Sequence, residues 1–354
     1  MAVSVTIDYL SSLTDKHFIR QMVDNVFLNS PLLFFLRKNE VVVDGGSDIR
    51  LPVQMARSSK LSRWGGRANT VPLNMEEHIT QAVFPFAKYQ FSVTLTDEDI
   101  AKNSGRAKIV DIIKAQTEIE EMTLRDNMGT DAFLTGAASE TAAGYMGLLG
   151  LNSAITFGTD PSGINEGSAV GYGGITRVGA TGQKNNPTLN AFWNGNVAAA
   201  NGSTTYQFYK APSTWDGSAT LTTAKMQEMF GVCSQGQDKP THIFCSQAAY
   251  NKYWSLLTAI QRQMTDEEVG KIGFDSLMFN NKPVIVDDNI DASTSMYFVN
   301  MNTFEFKPLK GMNFDTTEFR PGQNARTLTK LGNFIGQVIC KRPNQNGKIT
   351  SLTY

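Results

Sequence analysis

Tyr89, Phe91, Val93 and Leu95 alternate strictly with Gln90, Ser92 and Thr94, and this period of two constrains the fold more than any other stretch. Successive side chains of a strand point to opposite faces, so this run reads as a half-buried β-strand. Upstream, "VVVDGGSDIRLPVQM" (41 to 55) reads as strand, Gly-Gly turn, strand. Between the two lies "MARSSKLSRWGGRANTVPL" (55 to 73), with Arg57, Lys60, Arg63, Trp64 and Arg67, a glycine pair and no acid. Residues 46 to 95 thus read as two long strands joined at their far end by a polar, basic stretch. A two-stranded ribbon has too little apolar surface to stand alone, so it is expected to lie against another protein surface.

The rest of the composition makes that basic stretch a local device. The chain has 354 residues and a net charge of -1 from 32 basic and 33 acidic side chains, which is no nucleic-acid signature. With 41% hydrophobic residues it can bury a sizeable core. Three cysteines, Cys233, Cys245 and Cys340, lack CxxC spacing, so neither a disulfide framework nor a zinc site is expected; buried thiols in a reducing cytosol are. The opening "MAVSVTIDYLSSLTDKHF" has no charged region leading into an apolar run, and "PLLFFL" (31 to 36) is too short to span a bilayer. A soluble protein made in a cytoplasm, with no membrane partner, is the expectation.

Helical spacing appears twice before the middle of the chain. In "TDKHFIRQMVDNVFL", Phe18, Met22 and Val26 follow a candidate N-cap, Thr14, and Pro31 breaks the pattern. After "TDED" (96 to 99), the stretch 105 to 136 spaces Ile109, Ile112, Ile113, Gln116, Ile119 and Thr123 helically until Gly136. Thirty residues of helix make a rod of roughly 45 Å. Its exposed side carries Asp111, Glu118, Glu120 and Glu121. Residues 137 to 215 are rich in Gly, Ala, Ser, Thr and Asn and read as irregular structure with short strands. From 220 the texture is α/β: a helix ended by Gly236, the strand "THIFCS", a helix capped by Ser246, and the strands "KPVIVDDNI" and "SMYFVNMNTFEFKPL". The end reads as strand, Asn-Gly turn, strand.

Motifs for catalysis are sparse. His17, His78 and His242 are the three histidines, none with a metal-ligand partner at i+4. "GATGQK" (179 to 184) lacks the length of a P-loop, and there is no GxSxG. Asp287 and Asp288 follow the strand "VIV", a position where α/β enzymes keep carboxylates, but no second acid, base or cofactor motif joins them. They read as the end of a strand and the start of a turn, and no cofactor or metal is expected. For the basic stretch three readings stand: a solvated charge run, single-stranded nucleic-acid binding through its arginines and Trp64, and docking on an acidic protein surface. For the last, Glu118, Glu120 and Glu121 of a second copy are the candidate acceptors.

The order of these parts resembles the major capsid proteins of tailed double-stranded DNA bacteriophages, whose HK-97-type fold recurs in encapsulins. "GFDSLMFNNKPVIVDDNIDASTSMYFVNMNTFEF" (273 to 306) is similar to a recurring run of that family, "RDNMGTDAFLTG" (125 to 136) to the end of its spine helix, "GYGGITR" (171 to 177) to a glycine-rich segment after it, and "THIFCSQAAYNKYW" to the strand and helix of its axial domain. The resemblance implies an α+β, HK-97-like capsid fold: 1–45 as N-terminal arm, 46–95 as extended β-hairpin loop, 96–144 with 331–354 as peripheral domain with spine helix, and 145–330 as α/β axial domain. It implies a non-enzymatic shell subunit that forms hexamers and pentamers around double-stranded DNA without sequence-specific contacts, in a virion assembled in the host bacterial cytoplasm. A portal protein is an implied partner, decoration proteins are further candidates, and the short N-terminal arm suggests a separate scaffolding protein or none. Lys60 lies where some members cross-link, but without the other two residues no cross-link is expected. Two alternatives are an encapsulin-like compartment and an α/β enzyme using Asp287 or Asp288.

Overall fold

The computed structural model describes residues 30–54, 60, 73, 75, 77–96, 120, 122–124, 126–134, 147–155, 172–175, 193, 195–199, 206–207, 220–257, 276–290, 295–321, 326–350 and 352. In chain order these give α1 (Pro31–Lys38), β1 (Asp48–Gln54), β2 (Ile79–Pro85), β3 (Ala87–Thr96), α2 (Leu151–Ile155), β4 (Asn196–Ala199), β5 (Tyr206–Gln207) and α3 (Thr223–Cys233). Then come β6 (His242–Cys245), α4 (Gln247–Leu256), β7 (Ser276–Phe279), β8 (Lys282–Val286), β9 (Met296–Val299), β10 (Phe304–Pro308), β11 (Asp315–Thr316), β12 (Arg320–Pro321), β13 (Thr327–Cys340) and β14 (Gly347–Thr350). The candidate helix at 14–28 lies outside the described residues.

Strand β13 organises a five-stranded sheet. Along one edge β3 pairs with it from Thr327↔Thr96 to Gly336↔Ala87, and β10, β11 and β12 share the other edge in turn, all antiparallel. The alternation read from sequence holds in β3: Ala87, Val93 and Leu95 are buried while Lys88, Gln90, Ser92 and Thr94 are exposed. Gly332 makes room for the Phe91 ring across the strand pair: an added Cβ would lie 2.1 Å from it, so the ring would have to shift. A second, seven-stranded sheet runs β5-β4-β14-β9-β6-β8-β7, with β4–β14 and β6–β8 parallel. Helices α3 and α4 bury Met226, Met229, Phe230, Ala249 and Tyr253 in one apolar cluster with Ile243, Val284 and Phe298 of this sheet. Both helices start on side-chain caps, Thr222 accepting from the Lys225 amide and Ser246 from the Ala249 amide.

Three local readings change. The ribbon's return strand is β2, paired with β1 from Asp48↔Pro85 to Gln54↔Ile79, while β3 belongs to β13. The run "SMYFVNMNTFEF" is two strands in two sheets, β9 and β10, separated by a tight turn at Met301–Thr303. Nor is Asn346–Gly347 a hairpin turn, since β13 and β14 also lie in different sheets.

After β9 the chain therefore crosses between the sheets twice, and these two crossings bind each other through a buried polar network. Asn346 accepts from the Asn300 amide (2.7 Å) and donates to Thr303 Oγ1 (3.1 Å) and the Arg342 carbonyl (3.0 Å). Asn300 Nδ2 donates to Gln345 Oε1 (3.0 Å), and Asn196 Nδ2 to the carbonyls of Asn344 (2.8 Å) and Asn346 (3.0 Å). Every such pairing matters in a dry interior, where an unmet polar group costs more than a met one gains.

Pro31 opens a helix that was not expected from sequence, α1, at the first helical position, where its missing N–H is no loss. The helix buries Leu32, Leu33, Phe35 and Leu36, and Phe35 lies 4.1 Å from the His242 ring, so that histidine packs as a core edge.

Candidate interaction surface

The ribbon of β1 and β2 has two unlike faces. Inward, Ile49, Val53, Ala82 and Phe84 are buried. Phe84 rests on Tyr172 (centroids 4.9 Å apart), which also accepts from Trp193 Nε1 through its carbonyl (2.7 Å) and from the Cys340 amide through its hydroxyl (2.7 Å). Gly173, at φ 63°, lets the two elements close: a Cβ there would come within 2.8 Å of Phe84 and 2.9 Å of Ala82. This is the physical use of the "GYGG" stretch. The base of the ribbon is thus rooted in its own chain, so the ribbon does not depend on a partner for all of its burial.

Outward, the ribbon shows Arg50, Pro52, Gln54, Ile79, Gln81 and Val83 to solvent. Ile79 is 73% exposed, and further along the same arm Leu73 and Met75 reach 90% and 96%. Large apolar side chains left this bare on one arm mark a contact surface rather than scattered surface residues.

Of the eight residues singled out from sequence, Lys60 and Glu120 are described, each half-buried. Arg57, Arg63, Trp64, Arg67, Glu118 and Glu121 lie outside the described residues. Helical backbone is seen at residues 120, 122–124 and 126–131. There Leu124 and Met128 face the core, Met122 and Asp126 face out, and Phe133 packs beside Tyr297 at 5.7 Å. Where this helix ends, the Tyr89 hydroxyl donates to Asp131 Oδ2 (2.5 Å) and accepts from the Leu148 amide (2.8 Å). Burial raises the Tyr89 hydroxyl well above its ordinary pKa and raises the Asp131 carboxyl too, the Tyr89 bond opposing the latter.

Of the two carboxylates weighed as catalytic, Asp287 has other work. Asp287 is 1% exposed and accepts from Ser30 Oγ (3.3 Å), the Leu32 amide (3.3 Å), and the amide and side chain of Asn289 (both 3.0 Å). It caps the start of α1 from across the fold, where Ser30 makes no side-chain cap of its own. Burial raises its pKa, and the donors from Asn289, Leu32 and Ser30 hold it down. Asp288 is exposed. Cys233, Cys245 and Cys340 are buried free thiols, and burial pushes the Cys245 thiol far up. The Asp287 cap is not visible in sequence, since its partners at the start of α1, Ser30 and Leu32, lie 257 and 255 residues away. No described helix is long and apolar enough to cross a membrane.

No protein-family model matches the chain, and no curated protein matches it. Solved structures do. A chain of the cyanophage A-1(L) capsid asymmetric unit aligns over 92% of this chain and 94% of its own, with 17% identity and a TM-score of 0.61. The holo-SrpI encapsulin complex from Synechococcus elongatus aligns over 92% and 91%, with 9% identity and a TM-score of 0.52. The capsid of Myoviridae phage XM1 aligns over 90% and 91%, with 9% identity and a TM-score of 0.50. The chain has the fold these shells share, the α+β HK-97-type fold, and nearly its whole length is in it.

Proposed function

We propose that the protein is the major capsid subunit of a tailed double-stranded DNA bacteriophage, assembling into the hexamers and pentamers of an icosahedral shell. One observation carries this reading: a ribbon rooted by one face in its own core extends an arm whose Leu73, Met75 and Ile79 are bare, in a chain with the fold of shell subunits. Burying that arm requires another molecule. A head-to-tail contact of this sort closes into rings, and rings tile a shell. Residues 1–45 act as the N-terminal arm, 46–95 as the extended loop, 96–144 with 331–354 as the peripheral domain, and 145–330 as the axial domain. Strand pairing runs across the limit between the last two, since β10, β11 and β12 pair with β13, and β14 pairs with β4 and β9.

The extended loop crosses a neighbour's peripheral domain, with Arg57, Lys60, Arg63, Trp64 and Arg67 meeting Glu118, Glu120 and Glu121 of the next subunit. The shell encloses DNA without reading its sequence, and a net charge of -1 suits an inner wall that must not grip the DNA through counterion release. The subunit works with a portal protein in a virion assembled in the host cytoplasm, and scaffolding and decoration proteins are candidate further partners. It is not an enzyme: Asp287, the one buried carboxylate weighed for catalysis, is occupied by four donors.

A second reading, an encapsulin-like compartment, is favoured by the match to the encapsulin complex. Portal and terminase genes beside this one support a phage; a cargo enzyme gene supports a compartment. Expression of the chain followed by sedimentation and negative-stain microscopy tests both, because each requires closed shells, and a homogeneous monomer under every assembly condition removes them.

A further inference from the structure

After α1 the chain runs beside β10 as an extra, parallel edge of the five-stranded sheet, with bridges at Glu40↔Phe306 and Val43↔Leu309. Its inward bonds come from alternate residues. The amides of Val41 and Val43 donate to the carbonyls of Phe306 (2.8 Å) and Pro308 (2.9 Å), and the carbonyls of Asn39 and Val43 accept from Phe306 (3.3 Å) and Lys310 (2.9 Å). The peptide groups between them therefore face away from the sheet. Among the described residues nothing accepts from the amides of Val42 and Asp44. Val41 and Val42 are 44% and 53% exposed, and Met312 is exposed on the turn that follows β10. An open, β-branched strand edge is a template for an added strand.

We infer that this edge accepts a strand from a second copy of the chain, namely the copy's basic stretch Arg57 to Arg67. Charge decides the occupant. Self-pairing of the edge, antiparallel about Val42, would set Glu40 opposite Asp44 of the partner subunit on both sides of the axis, and like charges directly opposed are destabilising. The edge thus rejects its own image and admits a different surface of the copy. The basic stretch brings Arg57, Lys60, Arg63 and Arg67 with no acid among them. Glu40 and Asp44 already hold Asn313 Nδ2 (3.2 Å) and Lys310 Nζ (2.9 Å), each through one oxygen, and a carboxylate has room for more donors. Because donor and acceptor surfaces differ, the contact propagates around a ring instead of closing as a dimer. This inference rests on the shell reading and puts Glu40 and Asp44 in place of Glu118, Glu120 and Glu121 as the acids that the basic stretch meets.

Amide hydrogen exchange on the unassembled and assembled wild-type protein tests it directly. The Val42 amide is expected to exchange as an open amide in the free subunit and about tenfold or more slowly after assembly, while Val41 and Val43 are protected in both. Val42→Pro removes the outward N–H and leaves the inward bonds intact, so the free subunit is expected to melt as wild type while its yield of assemblies collapses. An unchanged Val42 exchange rate on assembly, or wild-type assembly by Val42→Pro, overturns the inference and leaves the shell reading standing. A wild-type chain that never assembles overturns both. Should Val42→Pro misfold, the exchange rates of the wild-type protein still decide.

Discussion

Asn346→Asp changes one NH2 group to oxygen at the point where the two crossings between sheets meet, with almost no change in shape. Asn346 is 0% exposed, and its amide nitrogen donates to Thr303 Oγ1 and the Arg342 carbonyl. An ionised Asp there would face those acceptors with an acceptor of its own and no compensating cation. The cheaper course is to stay protonated, and the cost of that is set by the solution. From an unperturbed carboxyl pKa of 3.9, neutralisation costs about 4 kcal/mol at pH 7 and about 1.5 kcal/mol at pH 5. The protonated form restores one donor of two, which adds roughly 1 kcal/mol of loss at either pH. The variant should therefore lose about 5 kcal/mol relative to wild type at pH 7 and about half that at pH 5. Its folded-state pKa is raised, so its stability is greatest below the unfolded value and falls as pH rises through the folded one. Urea unfolding of the unassembled subunit, wild type and variant side by side at pH 5, 6 and 7, measures the difference, and the comparison cancels the wild-type carboxylates. A loss under about 1 kcal/mol, or one that does not depend on pH, would mean that the crossings are not locked by this amide.

Gly173→Ala introduces a Cβ against Phe84 and Ala82 at a positive φ, so a loss of about 2 to 4 kcal/mol is expected by thermal melting, with faster amide exchange in β1 and β2. Asp287→Ala leaves the start of α1 uncapped and should cost about 2 to 4 kcal/mol, with exchange rising first in Pro31–Lys38. In wild type, the raised Asp287 pKa means this group's contribution is full below the unfolded carboxyl pKa and declines as pH climbs through the folded one; Asp287→Asn should remove that component of the stability–pH curve. Arg63→Glu with Arg67→Glu should leave the melting temperature of the free subunit unchanged and impair assembly, and high salt should partly mimic it in wild type, because exposed pairs are screened.

What the residues disclosed depended on how far away the deciding contact lay. The alternation from Tyr89 to Leu95 carried its meaning locally, and β3 has the faces it implies. The caps at Thr222 and Ser246 were equally local. Strand partnership was not, because the stretch after β2 is equally suited to β1 or β13, and only the fold sends β3 to β13. The same holds for "FVNMNTFEF" and "NQNGK", where polar residues that read as turns are a buried tie between sheets; their partners, such as Asn300 and Asn346, lie 46 positions apart. Asp287 read as the end of a strand and the start of a turn, and its tie to the Leu32 amide shows only in the fold. The candidate site divides similarly: the arm was read from its strand-like flanks and basic residues, whereas the exposure of Leu73, Met75 and Ile79 and the open edge at Val42 show only in the fold.

Sedimentation of the purified wild-type chain, with particles imaged by electron microscopy, bears most directly on whether the bare arm from Leu73 to Ile79 is built to rest on a sister subunit. The expected result is closed, uniform shells made of rings of five and six. A single sharp monomer boundary, unchanged across concentration, salt and added scaffolding protein, would contradict it.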